Sequence, residues 1–460
     1  MKLVPRETGA GLPTFGRVNI LLVVVGALLC AQCSRSAAPG EPINKIILMS
    51  IDALRADRLG CYGYTKRPNS PHIDAWAKDA VVFDRVYAQA PWTLPSLASL
   101  LSGLYAKEVG AYTNSSDMVG EHQTLAEQLK QRGYRTAFFN TNTVLVRKGF
   151  QRGFDTFVPA AVPQKIPYAK IEPQVMEWLD THAGDKFFLW IHDMDTHSPP
   201  TEGNTYLQTP GWERYDAEVR WVDEAFGRLL AKLEALGIRD QVLFVFTADH
   251  GEAFGEHILS GHQDVIYDEV LNVPLIIQYS GMKHTGHVGA LASLLDVHAT
   301  IAELAGIPAT STHRGESLVP IASGETDHLK RPYVFSARYY FMTDRTDQKT
   351  GKVLFQRGQH HLAVHDGQWK LIAKVQGGQD QTKRPDWRPT DTNIVYELYD
   401  TVRDPRESTN VVADNAAVAN QLQTVLVEWK RMTDVGPEAV KVDLDPAAQE
   451  ALRALGYQVE

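Results

Sequence analysis

Cysteine is scarce: Cys30, Cys33 and Cys61 are the only three in 460 residues. Cys30 and Cys33 close an N-terminal apolar run, so Cys61 alone belongs to the folded part and an internal disulfide framework is excluded. Cys61 reads as a small buried hydrophobe. Basic charge is not in surplus either. Lysine and arginine total 46 against 55 acids, a formal net charge of -9, which excludes a nucleic-acid backbone as the main partner. A local basic pocket for a small anionic group stays open. Internal repeats and heptad runs are absent, which removes solenoids and coiled coils from consideration.

What is present is an ordinary globular composition, 44% hydrophobic and 22% charged, long enough for two domains or one large domain with a satellite. Lys2, Arg6 and Arg17 precede an uncharged apolar run over 18–31, short for a membrane span and suited to an export signal. Residues 34–42 read as a flexible tether. Cys30 and Cys33 stand where a bacterial lipoprotein is lipidated, although Leu29 and Gln32 before them match poorly the small residue that processing prefers. The expectation is an exported protein, periplasmic or in the cell envelope, with a cleaved signal, a lipid anchor or a retained signal anchor at the membrane.

Beyond the tether the pattern alternates strand and helix. Ile46-Ile47-Leu48-Met49-Ser50-Ile51, Phe187-Phe188-Leu189-Trp190-Ile191 and Val242-Leu243-Phe244-Val245-Phe246 are apolar runs of strand length, as in parallel strands buried on both faces. Helical segments are predicted over 124–132, 171–182 and 216–236. In the last, Val219, Val222, Phe226, Leu229, Leu230 and Leu233 recur at three-to-four spacing. This predicts an α/β fold with a large, mostly parallel sheet flanked by helices. Past Leu329, shorter runs over 333–337, 362–365, 369–373 and 396–400 are separated by polar insertions, and a helix is predicted over 416–433. These imply a smaller antiparallel sheet with a helix packed on it. The chain then divides into an export signal and tether (1–42), an α/β catalytic domain (43–328) and a C-terminal subdomain (329–460).

Ligands bind beyond the carboxyl ends of the strands in open α/β sheets. Three strand ends carry acids or histidines: Asp52, the segment His192-Asp193-Met194-Asp195-Thr196-His197, and Asp249-His250-Gly251-Glu252. One such acid is more simply a helix cap. Three converging ends with carboxylate and imidazole point to a mixed oxygen and nitrogen metal site. Thr93, in Ala90-Pro91-Trp92-Thr93-Leu94-Pro95-Ser96, lies at or next to the N-cap of the helix that ends near Gly103. Alone it reads as a cap. Beside a metal, a hydroxyl at a helix start is placed to ionise and to hold a tetrahedral anion.

The segment from Pro91 to Gly110, the motif Asp249-His250-Gly251-Glu252 with Gly255-Glu256-His257, and the run Tyr267 to Ile277 resemble the sulfatase family of the alkaline phosphatase superfamily. So do Gly315-Glu316-Ser317-Leu318, Trp369-Lys370-Leu371-Ile372 and Glu397-Leu398-Tyr399-Asp400. The resemblance runs from Ile43 to Tyr457. It implies an ester hydrolase or phosphotransferase with a divalent metal. The departures matter equally. Sulfatases place two adjacent acids where this chain has Asp52-Ala53, Cys or Ser at Thr93, Arg at Leu97, and Lys and His where an ungapped reading puts Thr141 and Thr143. Threonine cannot become formylglycine, because its β-carbon bears a methyl and would oxidise to a ketone. The remaining Asp52, Thr93, Asp249 and His250 resemble relatives with a Thr nucleophile on one metal, among them lipoteichoic-acid synthases, phosphoethanolamine transferases and some phosphodiesterases.

The resemblance further implies that His197 faces substrate and that His262 contacts the transferred group, both as catalytic residues. His257, Asp195 (orienting His197) and Arg55 (replacing the charge absent at Leu97, or paired with Asp57) are candidate substrate contacts. Asp193 and His197 have the spacing of a second metal site, but its further His has no counterpart, so one metal is expected. The donors favour Mn²⁺ or Zn²⁺, although family sites also bind Mg²⁺ or Ca²⁺. The expected substrate is a small-molecule, glycan or lipid ester of phosphate type. A sulfuric ester hydrolase and a non-catalytic binding protein on the same fold are the alternatives.

Overall fold

The three apolar runs become neighbouring strands because they can be buried on both faces. A computed structural model describes residues 42–434 except 114–115, 147–148, 160–164, 212, 340–344, 347–352, 355–358 and 377–393. The proposed signal, most of the tether, Cys30, Cys33 and Tyr457 lie outside the described residues. Strands β1 (Lys45–Ile51), β2 (Val81–Tyr87), β3 (Arg135–Asn140), β4 (Thr156–Val158), β5 (Phe187–Asp193), β6 (Val242–Ala248), β7 (Leu275–Gln278) and β8 (Gly286–Ser293) form one sheet, ordered β4-β3-β5-β1-β6-β7-β2-β8. All neighbours are parallel except β7, which runs antiparallel to β6 and β2. The expected large, mostly parallel sheet is therefore what forms. Every residue of β1, β5 and β6 is buried.

Helices α1 (Pro71–Ala77), α2 (Thr93–Ser102), α3 (Leu125–Gln131), α4 (Tyr168–His182), α5 (Arg214–Ala235), α6 (Asp268–Leu271), α7 (Leu294–Leu304) and α8 (Val319–Ala322) belong to the same part of the chain. The α5 stripe predicted from Val219 to Leu233 is buried throughout. Helix α4 begins three residues before the predicted 171 because Pro167, which favours the extended backbone before a first turn, stands at its N-cap. Helix α2 is wholly buried and ends at Gly103, whose φ of 69° suits glycine. A Cβ there would come within 2.9 Å of the His298 ring.

The C-terminal segment forms β9 (Val334–Arg338), β12 (Gln359–His365), β13 (Trp369–Gln376) and β14 (Ile394–Asp400) in an antiparallel sheet ordered β14-β13-β12-β9, with a short pair β10 (Arg345–Thr346) and β11 (Val353–Leu354) apart from it. Helix α9 (Ala416–Thr433) packs on this sheet through Leu422, Leu426 and Trp429. The second core also takes in Ala106 and Tyr112 from the loop after α2, so the two sheets share packing. Cys61 is partly buried against the main core, and burial with Asp74 alongside pushes its thiol well up, which keeps it unreactive. Among the described residues no helix is long and apolar enough to cross a membrane.

Three buried histidines tie stability to pH. Burial pushes His298, His361 and His365 down to about 3 from 6.5. Their neutral rings contribute stability that is fully present above the unfolded value and is lost progressively as pH falls toward 3. Thermal melts should show Tm dropping steadily below pH 6.5. A Tm that stays level down to pH 4 would contradict this reading.

Candidate metal centre and catalytic pocket

The in-register ends of β1, β5 and β6 bring the sequence-distant acids together. Ile51 lies beside Asp193 on one side and Ala248 on the other. The Asp52 N–H donates to Asp193 O at 2.8 Å. Asp52 and Asp249 follow directly and are fully buried. Asp249 Oδ1 accepts the N–H groups of Ala53 (3.0 Å) and His250 (2.8 Å), which leaves Oδ2 without a hydrogen-bond partner. Ala53, where the resemblance implied a second acid, sits at φ 58°, a left-handed conformation held by its bonds to Asp249 and to the Tyr215 hydroxyl. Gly251 is required for a different reason: a Cβ would lie 2.2 Å from Glu269 O of α6.

Thr93 is the first residue of α2, with Trp92 as N-cap. Its Oγ1 donates to Asp52 Oδ2 at 3.3 Å and stands 3.4 Å from His250 Nε2. His250 Nδ1 lies 2.8 Å from Gly251 O, so that nitrogen carries the hydrogen and the Nε2 lone pair faces Asp52 (3.7 Å) and Asp249 (3.5 Å). All four residues singled out from the sequence, Asp52, Thr93, Asp249 and His250, therefore meet.

Two further residues join them. His192, on β5, points Nε2 at Asp52 Oδ2 from 3.5 Å, while its Nδ1 is 2.9 Å from Ser50 Oγ, which also accepts from Trp190. Single ligand atoms of Asp52, His192 and Asp249 lie within 4.8 Å of one another. Asn142 donates through Nδ2 to Asp52 Oδ2 and, at 3.4 Å, to Thr93 Oγ1. The sequence carried a faint signal for His192, which is in register with Ser50. It carried none for Asn142, which lies between the two threonines assigned by an ungapped reading. Thr141 instead serves the backbone of β5, accepting from Met194 N–H and donating to His192 O.

The centre fits a divalent cation. Asp52 Oδ1, Asp249 Oδ2 and His192 Nε2 are buried and lack hydrogen-bond partners, a costly arrangement unless something positive is held between them. Burial, with Asp52 alongside, pushes the Asp249 carboxyl well above the usual range. Burial opposes ionisation of Asp52 too, but His197, His192 and His250 hold it well below that range. Two carboxylates and one or two imidazoles form a mixed oxygen and nitrogen donor set.

The His250 and His262 rings lie 4.1 Å apart with their planes tilted by 45°, and His197 lies 5.3 Å from His262, measured between ring centroids. Burial lowers all three, His262 furthest because the other two crowd it. A cavity of about 640 Å³ opens over His197 and His262, bordered by Arg58, Arg214, Tyr215 and Phe254. Thr93 is fully buried and is not part of the lining.

Three expected substrate contacts are engaged elsewhere. The Arg55 guanidinium is taken by Asp57, Glu256 and the Glu252 carbonyl. His257 holds Glu269 at 2.9 Å and Glu407 O at 3.0 Å and stacks on Tyr267. The Asp195 carboxylate accepts the Tyr168 N–H at the start of α4, and burial pushes it up to about 6. Leu97, where an arginine was expected from the family, is core. The His197 loop is instead secured by Lys165, whose Nζ donates to the carbonyls of Asp195 (2.8 Å), His197 (2.6 Å) and Pro199 (2.8 Å). Lys165→Ala should lower kcat by up to roughly 100-fold, as for a catalytic group displaced by about 1 Å, with metal content unchanged. An unaltered kcat would dismiss Lys165 as a positioning residue.

A family profile described as Sulfatase matches residues 44–307, more than half the chain. The chain belongs to the sulfatase family. A second profile, described as N-sulphoglucosamine sulphohydrolase, C-terminal, matches residues 255–432. Among curated sulfatases, human arylsulfatase A is 25% identical over 92% of this chain and 95% of its own length. The ulvan-active sulfatase of Formosa agariphila is 28% identical over 61% of this chain, which spans 65% of that enzyme. The fold also matches the phosphonate monoester hydrolase of Agrobacterium radiobacter, with a TM-score of 0.67 at 19% identity, covering 87% of this chain and all of that one. The protein is thus an ester hydrolase of the sulfatase family, a metal-dependent family, and its Asp52, His192 and Asp249 form a cluster that could hold a metal ion.

Proposed function

We propose that this sulfatase-family protein is an exported, metal-dependent hydrolase or transferase that acts on phosphate-type esters through a covalent adduct on Thr93. The observation that carries this reading is the Thr93 hydroxyl at the start of α2, 3.3 Å from Asp52 and 3.4 Å from His250, where formylglycine cannot form. One divalent metal on Asp52 and Asp249 with His250 or His192 would polarise the ester and lower the pKa of the hydroxyl. Thr93 Oγ1 attacks phosphorus in line, with Asp52 Oδ2 at 3.3 Å and His250 Nε2 at 3.4 Å within reach of its proton. The Oγ1–P bond forms as the P–O bond to the alcohol breaks. His197 or His262, once the negative charge of the bound ester draws a proton onto its ring, protonates the departing oxygen. Water or an acceptor alcohol then attacks phosphorus and releases Thr93. Asn142, donating to both Asp52 and Thr93, holds the pair in register.

A sulfuric ester hydrolase is the second reading, favoured by the names of the curated relatives. A panel of aryl phosphate mono- and diesters, phosphonates and aryl sulfates, each with Mn²⁺, Zn²⁺, Mg²⁺ and Ca²⁺, separates the two. The alcohol part of the natural substrate is a small molecule, glycan or lipid. Export, and a cleaved signal or a lipid anchor at Cys30 or Cys33, is supported by the apolar run over 18–31. N-terminal sequencing and lipid labelling of membrane fractions test it, and a full-length cytoplasmic product would rule it out.

A further inference from the structure

Strand β9 is an edge of the C-terminal sheet, paired only with β12. An edge strand has backbone groups to satisfy on its open side. Here they meet the main domain. The Ala337 N–H donates to Gln89 O at 2.9 Å, and Ser336 Oγ donates to Ala88 O at 2.6 Å. Residues 88 and 89 lie between β2 and Pro91-Trp92-Thr93, so β9 is bonded to the stretch that delivers the hydroxyl. The last residue of the same strand, Arg338, reaches another wall of the pocket. Its Nε donates to Gln263 O and its Nη2 to Asp264 Oδ1 at 2.7 Å. Those two residues directly follow His262.

The segment that carries His262, between β6 and α6, has no helix or strand of its own. One isolated bridge, Ala253 to Gly261, closes it just before the histidine. Such a segment is held by contacts from elsewhere in the fold. Arg338 is 4% exposed, whereas the Asp264 side chain that it meets is 66% exposed. A carboxylate that open to water gains little from an ion pair, and burying a guanidinium is costly. Surface pairing therefore does not account for Arg338. Its planar fork, placed on two successive residues beside His262, fixes where that ring can lie.

We propose that β9 sets the Thr93 stretch against the His262 segment, with Arg338 as the positioning residue that aims His262 at the departing oxygen. This rests on the reading of His262 as a proton donor to that oxygen. The C-terminal sheet is then part of the catalytic apparatus, because it joins two stretches that the main sheet leaves unconnected in sequence.

The test measures kcat and KM for metal-loaded wild type, Arg338→Met, Arg338→Lys, His262→Ala and Arg338→Met/His262→Ala. The substrates are phosphate esters whose alcohols range from nitrophenol to an alkyl alcohol. Arg338→Met should lower kcat on the alkyl ester by up to roughly 100-fold, as for a group displaced by about 1 Å, with KM near wild type. The nitrophenyl ester should suffer far less, since its departing oxygen needs no proton. Arg338→Lys, which keeps the charge without the fork, should recover part of the loss. In the His262→Ala background, Arg338→Met should remove nothing further, because the two act as one unit. An equal loss in both backgrounds, or on every ester, overturns the proposal, since general loosening of the fold gives that pattern. An intact kcat in Arg338→Met beside an impaired His262→Ala also overturns it and leaves the reading of His262 standing. An intact kcat in His262→Ala removes both. Should the wild type turn over sulfate esters instead, the Thr93 reading falls, and the same comparison on those esters upholds or overturns the role of Arg338.

Discussion

Thr93→Ala should abolish most activity, by on the order of a thousandfold or more if losses of other catalytic nucleophiles are a guide, while divalent metal content stays near wild type. The separation follows from the geometry: Asp52, His192, Asp249 and His250 persist, and only the hydroxyl 3.3 Å from Asp52 is removed. In wild-type protein, a quenched turnover mixture should show a phosphate mass on the peptide spanning Thr93. Phosphate-type esters should be turned over much faster than sulfate esters. An aldehyde hydrate has a second hydroxyl that can expel sulfate by breaking C–O, whereas a sulfated threonine must wait for attack at sulfur. A phosphorylated threonine meets no such block, because the helix start and a cation stabilise charge around the in-line transition state. Thr93→Cys should not yield a sulfatase even with a formylglycine-generating enzyme, since Leu97, Thr141 and Thr143 supply none of the supporting charges. Aryl sulfate hydrolysis by the wild type at or above the best phosphoester would transfer the assignment to the sulfuric-ester reading.

Asp249→Ala should lose both metal and activity. Asp249 Oδ2 is one of three buried ligand atoms that converge without hydrogen-bond partners, so its removal deletes a ligand rather than weakening one. In wild-type protein, saturating Mn²⁺ or Zn²⁺ should raise Tm, because the cation binds only the folded state and offsets the burial and the nearby Asp52 charge that push the Asp249 carboxyl well above its usual range. Asp249→Asn should remove that metal-dependent gain while leaving the metal-free protein as stable as before or more so, since one of two facing carboxylates is gone. Metal affinity should fall in acid as carboxylate and imidazole ligands take up protons. Full metal occupancy in Asp249→Ala would sink the ligand assignment.

The sheet was legible because its evidence is local. A run such as Phe187 to Ile191 declares burial on both faces, and the α5 stripe declares its own inner side. Thr93, Asp249 and His250 were legible because each stands next to a local signal, a helix start or a strand end. Arg55 stood open between replacing the charge absent at Leu97 and pairing with Asp57, and the pair forms, whereas Asp195 was expected to orient His197 and His257 to lie near the substrate. Yet what a long side chain does depends on which segments surround it. Arg55 meets Glu256, about two hundred residues later, and His257 meets Glu407 O. Lys165 and Asn142 had no pattern to announce them, since each acts through contacts that exist only after β5 and the loop after β3 are in place.

By itself the sequence determined the α/β fold and the family, because hydrophobic period and motif order are written one residue at a time. Only the tertiary structure decided that His192 joins Asp52 and Asp249, that Asn142 holds the threonine, and that Thr93 meets His250. Those are facts of register between β1, β5 and β6 and of the loops beyond them. They decide which atoms face one another across more than a hundred residues of chain, and that information appears only when the strands align.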